Sequence, residues 1–199
     1  LNEALRRAVD NSFNRITVDG DTSTNDVVTL SATGKGSLTL MEKSPGYEKF
    51  QSALSTLLID LAHDIVRDGE GSTKFVEVIV KGGESTTECD QVARAIAHSP
   101  LVKTALFASD PNFGRVLAVI GRSGIQGLDV DKVSITINDL LIVEQGARAP
   151  IYTEQAGQEA MAPTDLRLAI NLGRGGSQAV IWTTDLSYDY VRINAEYRT

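Results

Sequence analysis

Apolar residues recur at steps of three and four from Tyr47 through Phe50, Leu54, Leu57, Leu61 and Ile65, the spacing that lines up side chains on one face of a helix. A helix of that length with a single apolar stripe is stable only when another layer covers the stripe, so the chain must fold in packed layers. The pattern stops at Asp68-Gly69, where glycine admits the left-handed residue that commonly ends helices. Phe50, Leu54, Leu57 and Leu61 are therefore expected to be buried against a sheet, and His63, opposite them, to be solvated.

Shorter patterns surround this helix. Leu1, Leu5, Val9 and Phe13 mark an amphipathic helix that begins without a capping residue, so chain is expected to be missing before Leu1. The β-branched residues of 27–33 predict a strand, with 37–41 as its hairpin partner across Gly34-Lys35-Gly36. Residues 73–80 alternate as a strand, 87–98 read as a helix through Val92, Ala95 and Ile96, and 101–108 are short and apolar. A further helix over 113–120 follows the turn Asp110-Pro111-Asn112. Segments 133–137 and 141–143 read as a hairpin about Asn138-Asp139, and 166–172 with 178–184 as a second one about residues 173–176. Residues 146–163 are expected to be a flexible excursion. The sum is an α/β (α+β) chain with helices packed on mixed or antiparallel sheets. Residues 1–199 are taken as a single domain, with a subdivision into an α/β part over 1–125 and a β-rich part over 126–199.

Composition narrows the function. A formal net charge of −7 disfavours a chain built to neutralise a phosphate backbone, so nucleic acid is not an expected partner. Cys89, His63 and His98 are the whole supply of thiol and imidazole, too little for a tetrahedral zinc site, and no metal is expected. No apolar run reaches the length of a membrane span, and the first residues lack the basic-then-apolar order of a secretory signal, so a cytoplasmic protein is expected.

Two polar stretches invite a functional reading. Residues 19–26, Asp-Gly-Asp-Thr-Ser-Thr-Asn-Asp, can serve as a capping turn or can present hydroxyls and carboxylates at a site; their spacing does not match a calcium loop. In Asp68-Gly69-Glu70-Gly71 the flanking glycines expose one carboxylate, either to solvent or to an ammonium group. Gly173-Arg174-Gly175-Gly176 lies between strands with no helix after it, which argues for a turn and against a phosphate cradle. No Gly-x-Ser-x-Gly elbow is present. The residues alone support an α/β enzyme or ligand-binding domain and no named reaction.

Several longer motifs go further. Leu5-Arg6-Arg7-Ala8-Val9-Asp10, Val18 through Asp26, Asp68-Gly69-Glu70-Gly71 with Thr73-Lys74, Ser99 through Ala105, Asp110 through Arg115, and Thr183 through Ser187 followed by Tyr190 through Thr199 occur in order along the chain. Together they resemble the β chain of the bacterial ornithine acetyltransferase (glutamate N-acetyltransferase) family. The resemblance implies a fold completed by a separate α chain, cut from the same precursor in front of a threonine whose hydroxyl is the nucleophile and whose new amine is the base. Leu1 has no hydroxyl, so that threonine is expected upstream and no catalytic residue is expected in this chain. Glu70, Asn194 and Thr199 match the family's substrate contacts. The implied reaction moves acetyl from N-acetylornithine to glutamate through an acetyl-threonine, in an (αβ)2 heterotetramer or larger assembly and without metal or organic cofactor. Acetyl-CoA stays open as a further donor. A self-processing aminopeptidase or amidohydrolase, and a non-catalytic amino-acid-binding subunit, are the competing readings.

Overall fold

The computed structural model describes residues 1–37 and 39–197, and the chain divides into two compact units. The first comprises Leu1–Ile16 and Asp21–Ile65; the second comprises Thr17–Gly20 and the chain from Val66 onward. The subdivision expected at residue 125 falls inside the second unit.

The first unit is built on two helices, α1 (Asn2–Asp10) and the greater part of the helix that becomes α2 below. Between them the chain passes through a two-residue strand, β1 (Ile16–Thr17), and residues 21–44, whose described members form neither helix nor strand. The strand expected over 27–33 and its hairpin partner are thus not formed among the described residues, and Val27 is 80% exposed. An isolated two-stranded hairpin is marginal without a third strand or an apolar surface to cover it.

Helix α2 (Pro45–Arg67) runs over 23 residues, close to the predicted span. Its inward row is Tyr47, Gln51, Leu54 and Leu58, packed with Ala4 and Ala8 of α1. Alanines at 4 and 8 let the helices approach closely, and the buried Gln51 amide is satisfied by donating to the Ala4 carbonyl at 3.2 Å. The expected stripe is corrected here: Phe50 is half-buried and Leu54 buried, but Leu57 and Leu61 are 55% and 45% exposed, and the covering layer is a helix, not a sheet. Gln51 hides the true row from a reading that tracks apolar residues only. His63 is half-buried where a solvated side chain was expected.

The second unit is a sheet with helices on it. In chain order it contains β2 (Phe75–Gly83), α3 (Thr86–Ala97), α4 (Pro100–Phe107), α5 (Phe113–Gly121), β3 (Ser134–Ile137), β4 (Leu140–Glu144), β5 (Ala147–Arg148), α6 (Glu154–Met161), β6 (Asp165–Asn171), β7 (Ser177–Thr184) and α7 (Tyr188–Glu196). The strands form one seven-stranded mixed sheet in the order β1-β7-β2-β6-β3-β4-β5. Val76, Val78 and Val80 of β2, Leu166, Leu168 and Ile170 of β6 and Ile181 of β7 point to one face, where α3 supplies Val92, Ala93 and Ile96. The mixed α/β class read from sequence is the one observed.

Two connections differ from the sequence reading. β6 and β7 are not a hairpin, because β2 lies between them, parallel to β6 and antiparallel to β7. The turn at 173–176 therefore steps over the end of β2, with Arg174 and Gly175 amides both donating to the Gly82 carbonyl at 2.8 Å. A side chain at Gly175 would place its Cβ 2.2 Å from the Gly83 carbonyl oxygen, so the step requires glycine. Residues 146–163 are likewise not a loose excursion: they contain β5 and α6, the latter capped by the Thr153 hydroxyl accepting from the Ala156 amide. Among the described residues no helix is long and apolar enough to cross a membrane.

Candidate functional site

Antiparallel pairing of β2 with β7 puts Phe75 opposite Thr184, so the chain entering β2 and the chain leaving β7 share one end of the sheet. The entering chain is the turn 68–74 that carries Glu70; the leaving chain leads through Asp185 and Ser187 into α7. Sheet register thus brings together two sequence-distant polar segments.

Asp185 ties them. The residue is 4% exposed, and Oδ1 accepts from the Thr73 and Lys74 amides at 2.8 and 2.9 Å and from the Thr184 hydroxyl at 3.0 Å, while Oδ2 accepts from the Thr73 hydroxyl at 2.7 Å. Four donors compensate the removal of this carboxylate from water. The Ser72 and Thr184 hydroxyls meet at 2.5 Å beside it.

Two buried lysines brace the same corner. Lys103 of α4, 2% exposed, donates from Nζ to the Thr184 carbonyl and to the Thr183 hydroxyl. Burial lowers its pKa to about 8, against the opposing pull of the Asp185 and Asp19 carboxylates. Lys74 donates to the Met161 and Pro163 carbonyls at 2.9 and 3.0 Å, meeting the C-terminal end of α6, and burial lowers its pKa too, partly offset by Asp185.

Helix α7 docks on the Glu70 turn. The Ser187 hydroxyl donates to the Gly71 carbonyl at 2.6 Å and caps the helix by accepting from the Tyr190 amide. Gly71 has φ +66°, and a Cβ there would lie 2.5 Å from the Tyr190 nitrogen, so conformation and close approach both require glycine. One turn beyond Tyr190, the Asn194 amide donates to Glu70 Oε2 at 2.5 Å and to the Tyr190 carbonyl at 3.0 Å. Both Glu70 and Asn194 are exposed. Thr199, the third residue implied by the resemblance, lies outside the described residues.

Residue patterns did not single out Lys103, Asp185 or Tyr190. Lys103 carried a usable signal, a lone cation inside the apolar run 101–106, since lysine is fully buried only when its ammonium is bonded. Among the described residues no group of three or more His, Cys, Asp or Glu side chains is placed to hold a metal ion.

Fold and geometry define a mixed α/β sheet protein that presents a carboxylate and a carboxamide side by side at one sheet end, a set able to meet an ammonium and a carboxylate. The chain belongs to the ArgJ family, whose model matches residues 1–199. It is 50% identical over 201 residues to the arginine biosynthesis bifunctional protein ArgJ of Pseudomonas syringae pv. tomato, and 50% identical to that of Pseudomonas fluorescens. All of this chain is covered in both comparisons, and it spans about half the length of these curated relatives, 50% of each. The crystal structure of the arginine biosynthesis bifunctional protein argJ of Bacillus halodurans superposes with a TM-score of 0.92 at 38% identity, covering 98% of this chain and 92% of that one.

Proposed function

We propose that this chain is the substrate-binding part of an acetyltransferase that moves acetyl from N-acetylornithine to glutamate, releasing ornithine and N-acetylglutamate. The observation that carries the reading is the Glu70–Asn194 pair in a chain of this family. Glu70 supplies a charge-assisted acceptor for the amino-acid ammonium, Asn194 a donor for its carboxylate once the ammonium takes its place at Glu70, and Thr199 a hydroxyl. The nucleophile is a threonine upstream of Leu1, freed by self-cleavage, and acetyl passes through its ester in a ping-pong sequence. An α chain from the same precursor completes the site in an (αβ)2 heterotetramer in the cytoplasm. The chemistry uses neither metal nor organic cofactor, and acetyl-CoA as a second donor fits relatives whose names call them bifunctional.

The test is product analysis with the whole protein. N-acetylornithine plus glutamate is expected to yield ornithine and N-acetylglutamate in equal amounts, with a threonine at the new N-terminus of the cleaved chain. Release of free acetate instead, indifferent to glutamate, would establish the hydrolase reading; absence of both products and of a threonine junction would establish the binding-subunit reading.

A further inference from the structure

We infer that Tyr190, through the bond from its hydroxyl to Asp19, is a positioning residue that fixes the rotation of α7 so that Asn194 faces Glu70. The inference rests on the substrate site proposed above.

Helix α7 is weakly held by packing. It has nine residues and no buried side chain, and Tyr188 and Val191 are 83% and 60% exposed. A helix that short is not stable by propensity alone, so its orientation depends on specific tethers. The Ser187 contact to Gly71 fixes the N-terminal end at one point, and the Tyr188 ring meets Phe107 edge-on with centroids 5.4 Å apart, also in the first turn. Neither contact sets which residues of the next turn look toward Glu70.

The Tyr190 hydroxyl does. It donates to Asp19 Oδ2 at 2.8 Å. Tyr190 and Asn194 are four apart and share one face of the helix, so anchoring the first aims the second. The anchor itself is braced: the Gly20 amide donates to the Thr17 hydroxyl at 3.0 Å, and Val18 packs over Gly69 beside Glu70. Segment 17–20, turn 68–71 and α7 therefore form a triangle, with Asp19–Tyr190 on one side and Glu70–Asn194 on another. This gives the polar run that starts at Asp19 a role beyond turn formation, because its first carboxylate orients a helix.

The experiment uses the full-length protein, assayed with N-acetylornithine and glutamate beside thermal melts and hydrogen exchange of α7. Tyr190→Phe and Asp19→Ala are each expected to raise KM for the amino-acid substrates about tenfold, the effect of losing one charge-assisted bond, with kcat changing by less than about twofold. The double variant is expected to be no worse than Asp19→Ala, because the bond that Tyr190→Phe removes is already gone there. Asp19→Asn keeps an acceptor and is expected to recover most of the lost affinity. Amide exchange in α7 is expected to speed up in Tyr190→Phe. A purely structural role would lower the melting temperature and leave KM of the folded enzyme untouched, and that result would overturn the inference, as would additive effects in the double variant. Glu70→Ala is run in parallel: if it raises KM and Tyr190→Phe does not, the positioning role fails alone, and if neither does, the substrate site fails and takes the positioning role with it.

Discussion

The Asn194 amide donates to the Glu70 carboxylate at 2.5 Å although 124 residues separate the two in sequence. The contact is made by side chains of an exposed turn and an exposed helix, so it contributes little to the core and is available to a ligand. Glu70→Ala is accordingly expected to lower kcat/KM by roughly ten- to a hundred-fold, the loss of one charge-assisted contact to an ammonium, with a melting temperature close to that of the parent. Steady-state kinetics beside thermal melts check this, and unchanged kcat/KM in a folded variant would remove Glu70 from the site.

Gly71 makes that contact geometrically feasible. Gly71→Ala introduces both an unfavourable left-handed residue, costing roughly 1–2 kcal/mol, and a Cβ 2.5 Å from the Tyr190 nitrogen. Gly34 has nearly the same φ, +67°, with nothing within 4 Å of a Cβ. Gly34→Ala therefore reports backbone strain alone. Urea unfolding of both variants is expected to show a larger loss for Gly71→Ala, accompanied by a higher KM that Gly34→Ala does not share. Equal losses would mean that α7 moves aside without consequence.

Periodicity located most of the elements, because α2, α3, α5 and the strands β2 to β4 each carry their own repeat of apolar residues. It failed where the deciding fact was not local. Turn chemistry favours a hairpin of 166–172 with 178–184, but β2 intervenes, and which strand occupies the space between two others is a long-range choice that no window of residues encodes. That same choice creates the site, since Glu70 and Asn194 meet because β2 and β7 are neighbours. Residue patterns could therefore mark Glu70 as an accessible carboxylate but not find its partner; the family resemblance paired the two. α2 failed differently: its buried row includes Gln51, and a polar residue satisfied by a main-chain carbonyl is invisible to hydrophobic counting.

Asp185 is expected to matter for stability more than any residue facing solvent. Asp185→Ala leaves the Thr73 and Lys74 amides, the Thr73 hydroxyl and the Thr184 hydroxyl without their acceptor in a buried corner. The cost is on the order of 3–5 kcal/mol, as for breaking a buried charge's network. Asp185→Asn should recover much of the loss, because its amide oxygen can keep the three bonds made to Oδ1 and its amide nitrogen can donate to the Thr73 hydroxyl, which accepts as well as donates. Equilibrium unfolding of the two variants checks the claim, and a loss below about 1 kcal/mol for Asp185→Ala would show that water replaces the carboxylate.

Lys103 gives a pH signature of opposite sense to that of a lysine whose pKa is raised by an ion-pair partner on folding, where stability is lost as pH rises. Its folded pKa of about 8 lies below the ordinary lysine value of 10.5, because burial disfavours the charged form. Between those two values the unfolded chain holds more protons than the folded one, so stability rises as pH rises through this window. Below about 8 both states are charged, and the burial penalty is present in full. The gain across the window is on the order of 3 kcal/mol. Lys74 shifts in the same direction while Cys89 and Tyr152 shift upward by burial, so the raw profile is a sum. The difference between parent and Lys103→Met isolates the single group. Urea unfolding from pH 7.5 to 10.5 is expected to show the parent gaining on the variant as pH rises, and parallel profiles would mean that the Lys103 ammonium stays charged throughout, with its bonds to Thr183 and Thr184 fully offsetting burial.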